Sequence, residues 1–269
     1  IGNLMAFHVN AGEWSKETIS APDNLTISLS SASREADVAF INAEGFLTPD
    51  TLLLANTADM TTRSIKAIPE RFDSSGLIVE QIETRSPDGT VIPYFVVRHE
   101  NTPLDGSTPT LLYAYGGFQV SMRPRYSGSL GKLWLENGGA YVLANIRGGG
   151  EFGPAWHQAG LKTQRQRIYD DLIAVAEDLS DQGLTSAEHL AVYGGSNGGL
   201  LTGVMYTQRP DLWQAVVSAV PLLDMLRYHK LLAGASWMGE YGNPDDPEEG
   251  AFLRSISPYH NVSATQDYP

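Results

Sequence analysis

One stretch constrains the fold of this chain more than any other, the run YGGSNGGL at residues 193–200. Its serine, Ser196, has a glycine two residues before it and another two residues after it, which is the pattern of a nucleophile elbow. In such an elbow a buried strand ends, the chain turns sharply and a helix begins, so that the serine is strained and its hydroxyl is exposed. Glycines are needed on both sides because a Cβ atom there would collide across the turn.

The residues on either side of the pattern fit this interpretation. Residues 190–193, LAVY, predict a short buried strand, and residues 200–206, LLTGVMY, carry apolar side chains at helical spacing. The helix is expected to stop near Pro210, because proline cannot continue one. The pattern alone also fits a glycine-rich turn that happens to carry a serine. Its position between a strand and a helix favours Ser196 as a nucleophile.

Composition excludes several classes of protein. The chain has 269 residues, of which 42% are hydrophobic, and its net charge is −13. This is the composition of a globular protein, and the negative charge argues against a nucleic-acid surface. The chain has no cysteine, which excludes a thiol nucleophile and a cysteine metal site, and no apolar run of membrane-spanning length. It begins at Ile1 without an initiator methionine or a signal peptide, which suggests an internal piece of a longer protein.

The pattern of predicted elements changes near residue 72. Before it, candidate strands separated by turns indicate antiparallel β structure, as in a sandwich or in propeller blades, at residues 4–9, 25–29, 38–41 and 51–55. After it come a hairpin, four strands and an amphipathic helix, at residues 78–97, 110–115, 140–145, 190–193, 215–220 and 167–179. Strands that alternate with helices predict an α/β domain with a mainly parallel sheet, with the boundary between residues 70 and 78.

A second glycine-rich stretch, GGGEFG at residues 148–153, matches the dinucleotide-binding pattern GxGxxG. That fold requires an acid about twenty residues later, at the end of a strand. Here Asp170 and Asp171 stand at that distance, but on the predicted helix. The stretch is therefore interpreted as a tight loop beside an active site.

Three motifs occur together and in one order: YAYGGF at residues 113–118, ANIRGGGEFG at 144–153 and GGSNGGL at 194–200. This combination closely resembles the prolyl oligopeptidase family of serine peptidases, well over residues 72–269 and weakly before them. The resemblance implies an α/β-hydrolase fold, a mainly parallel sheet with flanking helices whose C-terminal part is missing, preceded by β-strands of an incomplete β-propeller. Residues 1–71 would be the last blades, and residues 72–269 the peptidase domain.

The resemblance also implies catalytic roles. Ser196 resembles the nucleophile that attacks the scissile carbonyl group and forms the acyl-enzyme. The backbone N–H of Asn197 and the hydroxyl of Tyr115 match the two donors of the oxyanion hole. Without the resemblance, Tyr115 would be interpreted as a core tyrosine at a strand end.

Three aromatic residues match the substrate pocket of the family. Trp237 resembles the ring that stacks on a substrate proline, and Phe118 and Tyr241 line the same pocket; without the resemblance each would be interpreted as an ordinary core residue. Relatives that cleave after basic residues carry glutamates around this segment, where Trp237 and Gly239 stand here, whereas the acid at Glu240 is shared with proline-specific members. This favours cleavage after proline over cleavage after arginine.

A serine nucleophile needs a base and an orienting acid, which in this fold follow it in the order Asp, then His. Only two histidines follow Ser196, His229 and His260, and both match other segments of the family. We therefore expect the catalytic Asp and His to lie beyond residue 269, and the 269-residue chain alone to be poorly stable and without peptidase activity.

The predicted function is that of a serine endopeptidase that cleaves short peptides after proline, with no cofactor and no metal. The expected partners are peptide substrates, with no nucleic acid and no membrane. The full-length protein is expected to be a monomer in the cytoplasm, with the periplasm as an alternative. Two alternatives stay open: an esterase or a peptidase of oligopeptidase B or dipeptidyl peptidase type with the same fold, and a non-catalytic truncated relative.

Overall fold

The computed structural model describes residues 4–10, 12–19 and 24–269. The chain divides into two compact units. One comprises Ile1–Val79 with Arg123–Asn137, and the other comprises Glu80–Met122 with Gly138–Pro269. The assignment of residues 1–71 to propeller blades and of 72–269 to a peptidase domain stays a prediction, and residues 1–3, 11 and 20–23 lie outside the described residues.

The strands of the first unit are antiparallel, as the turn-rich sequence predicts. They form a hairpin and a four-stranded sheet in which each strand pairs with its neighbour in sequence. The strands are β1 (Leu4–Asn10), β2 (Glu13–Ile19), β3 (Thr26–Ala32), β4 (Val38–Glu44), β5 (Thr51–Asn56) and β6 (Thr61–Ala67). A four-stranded antiparallel meander is the unit from which propellers are built.

Two strands of this unit, β2 and β6, were not predicted. The four predicted strands are more apolar, and β4 buries Ala39, Ile41 and Ala43 in strict alternation. By contrast, all seven residues of β6 are exposed, so its sequence lacks that alternation. This unit also contains α1 (Gly128–Leu133), which Ser127 caps by accepting a hydrogen bond from the Leu130 N–H, and a 3-10 helix at Leu135–Asn137.

The second sheet has six strands: β7 (Leu77–Arg85), β8 (Val91–His99), β9 (Thr110–Tyr113), β10 (Ala140–Ala144), β11 (Leu190–Gly195) and β12 (Ala215–Ala219). Their order in the sheet is β12-β11-β9-β10-β8-β7. Strands β9 to β12 run parallel, and β8 is antiparallel to β10, so the predicted mainly parallel sheet is confirmed. Each predicted strand of this region is present within a few residues of its expected ends.

Six helices accompany this sheet: α2 (Pro154–Gln158), α3 (Gln166–Asp181), α4 (Asn197–Gln208), α5 (Met238–Tyr241), α6 (Pro247–Ser255) and α7 (Pro258–Asn261). Helix α3 is the predicted amphipathic helix, and it buries the predicted face, which includes Ile168, Leu172 and Leu179. Helix α4 is apolar, packs on β11 and β12, and is buried over its first nine residues. Within the described ranges no helix has both the length and the apolar character needed to cross a membrane.

The core positions the ends of the central strands. Leu112, Val142 and Val192 come from three neighbouring strands and are fully buried, and they share one apolar cluster with Leu172 and Leu200. Ligands in parallel α/β sheets bind beyond the carboxyl ends of the strands, because the loops that follow these strands meet there. The segments that follow β9, β10 and β11 carry the three sequence motifs.

Candidate active site

Ser196 lies at the junction of β11 and α4. Its backbone has φ 57° and ψ −115°, a left-handed conformation that is unusual for a residue other than glycine, and its side chain is exposed. The Ser196 N–H donates to the Ala219 carbonyl of β12 at 2.9 Å, which ties the turn to the neighbouring strand. The strained turn with an exposed serine that the sequence predicts is therefore present.

The glycines of the motif meet across this turn. A Cβ atom on Gly194 would lie 2.2 Å from the carbonyl oxygen of Gly198. Because that oxygen belongs to the backbone, no side-chain rotation relieves the collision. The collision expected from the sequence is confirmed at this position.

Asn197 is the first residue of α4, so its N–H is one of the four at the helix start that have no partner within the helix. Its side chain is 1% exposed and is held at both ends. Nδ2 donates to the Tyr115 carbonyl at 2.5 Å, while Oδ1 accepts from the Tyr241 hydroxyl at 3.0 Å and from Nη2 of Arg165. The helix start is thus connected to three other segments of the chain, those that carry Tyr115, Arg165 and Tyr241.

Tyr115 lies in the loop that follows β9, and its side chain is half-buried. The next residues approach Asn197 closely: a Cβ atom on Gly117 would lie 2.5 Å from Nδ2 of Asn197. The structure therefore brings together the segments that carry three of the predicted residues, Ser196, Asn197 and Tyr115.

Two of the three predicted pocket residues, Phe118 and Tyr241, contact each other directly. The rings of Phe118 and Tyr241 meet edge to face with centroids 5.6 Å apart, and Tyr241 is 1% exposed. Trp237 ends a 3-10 helix that leads into α5; it is partly buried and packs against the main core four residues before Tyr241. Burial raises the pKa of Tyr241 well above its ordinary range, so its hydroxyl is a protonated donor at neutral pH.

Glu240 is buried, and both of its carboxylate oxygens have partners. Oε1 accepts from the Phe118 N–H at 2.9 Å and from Nη1 of Arg165 at 3.2 Å, and Oε2 lies 2.7 Å from Nε2 of His157. Sequence reasoning considered Glu240 only as an acid of the specificity pocket and missed Arg165. A single arginine just before an amphipathic helix carries no pattern that would have singled it out.

The GGGEFG loop lies against the segment that follows Phe118. The Gly148 carbonyl accepts from the Gln119 N–H at 3.1 Å, and Oε1 of Glu151 accepts from the Met122 N–H at 2.7 Å. Its last glycine, Gly153, precedes the five-residue α2. The loop is a tight turn next to the candidate site, as interpreted from the sequence.

Three histidines of the second unit contact side chains other than Ser196. His157 contacts Glu240, Nε2 of His229 lies 3.2 Å from Oδ2 of Asp245, and Nδ1 of His260 lies 2.8 Å from Oγ of Ser257. Among the described residues, Ser196 receives no hydrogen bond from a histidine. The described residues also contain no group of three His, Asp or Glu side chains that could hold a metal ion.

The mixed sheet, the flanking helices and the strand–serine–helix turn define the α/β-hydrolase class, accompanied here by antiparallel blade-like strands. The family model described as "Prolyl oligopeptidase family" matches residues 125–269. The chain belongs to the prolyl oligopeptidase family, and the resemblance seen in the sequence is confirmed.

Similar proteins and structures agree. The chain is 58% identical over 266 residues to an uncharacterised peptidase of Sinorhizobium fredii, and 42% identical over 225 residues to a prolyl endopeptidase of Elizabethkingia meningoseptica. These matches cover 99% and 83% of this chain, which spans 37% and 32% of the two relatives. The structure of a post-proline cleaving enzyme from Rickettsia typhi matches with a TM-score of 0.90 and 42% identity, over 99% of this chain and 39% of that one.

Proposed function

We propose that the full-length protein containing this chain is a serine endopeptidase that hydrolyses short peptides after proline. The observation that carries the proposal is the backbone conformation of Ser196. This residue is not a glycine, yet its φ is positive, and its side chain is exposed at the start of α4. Such strain persists where the surrounding structure holds it, and it is common at catalytic residues. Membership of the prolyl oligopeptidase family supports the same reaction.

In the proposed reaction, Oγ of Ser196 attacks the carbonyl carbon of the scissile bond and gives its proton to a base. The carbonyl oxygen becomes an oxyanion, which the Asn197 N–H and the Tyr115 hydroxyl stabilise. The amine then leaves with the proton, and water hydrolyses the acyl ester to free Ser196. In this proposal the base and its orienting acid are assigned to no residue of this chain, because among the described residues the histidine side chains contact groups other than Ser196.

Specificity for proline is supported by the aromatic residues and by the state of Glu240. Phe118 and Tyr241 form an edge-to-face pair, and Trp237 packs against the same apolar core. Aromatic side chains of this kind suit a flat pyrrolidine ring. Glu240 directly precedes Tyr241 in the sequence, and its carboxylate is 6% exposed and already paired with Arg165. A carboxylate with these partners is poorly suited to bind a basic substrate side chain, which argues against cleavage after arginine.

The test is reaction of the full-length protein with a fluorophosphonate, followed by turnover of three substrates: a proline anilide, an arginine anilide and a simple ester. We expect labelling at Ser196 and the highest kcat/KM on the proline anilide. Ser196→Ala should lose both labelling and turnover, while Ser236→Ala, at an exposed serine one residue from Trp237, should keep both.

Other outcomes point to the alternatives. A preference for the ester or for the arginine anilide would favour an esterase or an oligopeptidase B-type enzyme. No labelling of the full-length protein would favour a non-catalytic relative. We also propose that the 269-residue chain alone is inactive, and normal turnover by that purified chain would contradict this.

A further inference from the structure

A buried ion pair lies behind the proposed oxyanion donor. Nη1 of Arg165 contacts Oε1 of Glu240 at 3.2 Å, and the side chains are 2% and 6% exposed. Removing two charges from water is costly, and replacing such a pair with apolar residues often leaves stability unchanged or higher. Stability alone is therefore a weak explanation for a buried pair at this position.

The arginine holds the start of α4. Its Nη2 donates to Oδ1 of Asn197 and, at 3.4 Å, to the carbonyl of Gly116. Its guanidinium also stacks on the Tyr241 ring, with the central carbon 4.6 Å from the ring centroid. One planar group thus contacts the residue after the serine and the loop that carries Tyr115.

The glutamate holds the neighbouring loop. Oε1 of Glu240 accepts from the Phe118 N–H at 2.9 Å, and Phe118 and Gln119 both have left-handed backbones, with φ of 55° and 56°. Two successive residues in this conformation need support from their surroundings. The Glu240 carboxylate supplies part of it, and His157 contacts its second oxygen.

We infer that Arg165 and Glu240 are positioning residues for the proposed reaction. Arg165 acts through the Asn197 side chain on the orientation of the N–H that would bind the oxyanion. Glu240 acts through the Phe118 N–H on the ring that would contact the substrate proline. Neither residue touches the substrate, and the inference rests on the proposed function of Ser196.

The experiment compares variants of the full-length protein in kcat, KM and urea unfolding, using a proline anilide and a simple ester. Arg165→Lys keeps a charge beside Glu240, but an ammonium cannot reproduce the planar fork. We expect its kcat to fall by about tenfold to a hundredfold on both substrates, with only a modest fall in the unfolding midpoint, because Oδ1 of Asn197 keeps the Tyr241 hydroxyl as a donor. Glu240→Met removes the acceptor of the Phe118 N–H and should instead raise KM mainly for the proline anilide, because the ester does not need the Phe118 ring.

A double variant separates positioning from stability. Arg165→Met with Glu240→Met removes both charges, so the double variant should be more stable than Arg165→Met alone while its kcat stays low. Recovery of kcat together with stability would show that the pair is merely structural. Lys162→Met is the matched control, because Lys162 pairs with Glu249 at the surface, 2.8 Å apart, and should leave kcat unchanged.

These measurements distinguish failure of the proposed function from failure of the positioning role. If the unmodified protein shows no turnover that depends on Ser196, the proposed function is wrong. If it does, and Arg165→Lys keeps the unmodified kcat on both substrates, the positioning role is wrong while the proposed function stands.

Discussion

The hydroxyl of Tyr241 donates a 3.0 Å hydrogen bond to Oδ1 of Asn197. This bond links an aromatic residue of the proposed substrate pocket to the residue that follows the elbow serine. Both side chains are 1% exposed, so water does not compete for the bond. Tyr241 and Asn197 therefore belong to one buried hydrogen-bonded group.

The first prediction concerns this bond. Tyr241→Phe keeps the ring and removes the hydroxyl, which leaves Oδ1 of Asn197 with Arg165 as donor. We expect the free energy of unfolding to fall by about 1 kcal/mol, and kcat on a proline anilide to fall as Asn197 becomes less constrained. Urea unfolding and steady-state kinetics of the full-length protein measure the two effects.

Tyr228→Phe is the matched control. Its hydroxyl donates to the Gly242 carbonyl at 2.5 Å, and Tyr228 is 3% exposed, so the loss of stability should be similar. Because this bond does not involve Asn197, kcat should stay unchanged. Equal losses of kcat in the two variants would contradict a specific link between Tyr241 and the elbow.

The second prediction concerns the space beside Asn197. Gly117→Ala would place a Cβ atom 2.5 Å from Nδ2 and 2.8 Å from Cγ of Asn197, so the side chain must move. A displacement of about 1 Å near a catalytic group can lower the rate about a hundredfold, so we expect kcat/KM to fall by about a hundredfold. Gly239→Ala serves as the control, because nothing lies within 4 Å of its added Cβ, and it should keep its activity.

The third prediction concerns the buried pair Arg147 and Asp171. Nη2 of Arg147 lies 2.6 Å from Oδ1 of Asp171, and the side chains are 5% and 0% exposed. Arg147→Met leaves a buried carboxylate without its partner and should destabilise the protein by about 3–5 kcal/mol in urea unfolding. Arg98→Met breaks a pair whose acid, Glu80, is 41% exposed, and should cost less than about 1 kcal/mol. Equal costs would contradict the role of burial.

The fourth prediction concerns acid stability. The hydrogen bond from Arg147 is the main cause that lowers the pKa of Asp88 below its ordinary value of 3.8. Folding therefore favours the carboxylate form of Asp88. The stability that this carboxylate contributes is complete above the pKa of Asp88 in the unfolded chain, and it is lost as the pH falls towards the lower pKa of Asp88 in the folded protein. The difference in unfolding free energy between the unmodified protein and Asp88→Asn should stay constant from about pH 8 to about pH 5 and shrink below about pH 4. Urea unfolding at each pH measures it, and a difference that grows on acidification would refute the assignment.

Much of the second unit follows from local sequence. Runs such as LAVY at residues 190–193 and the apolar face of α3 predict their elements, because burial of one face leaves a periodic pattern. The elbow at Ser196 is equally local, since its glycines are needed within five residues of chain. Strand β6 was missed for the opposite reason: its pairing with β5 is decided by backbone hydrogen bonds and leaves no apolar alternation.

By itself, then, the sequence determined the α/β architecture, the strained serine and the family, because each strand, helix and motif behind them is formed by residues that are close along the chain. Only the tertiary structure decided what surrounds that serine. Arg165, Asn197 and Glu240 are separated by 32 and 43 residues, and they meet because the core brings the start of α3, the start of α4 and helix α5 together. No local pattern records such a contact, since a buried charge is stabilised by whichever distant partner the fold places beside it.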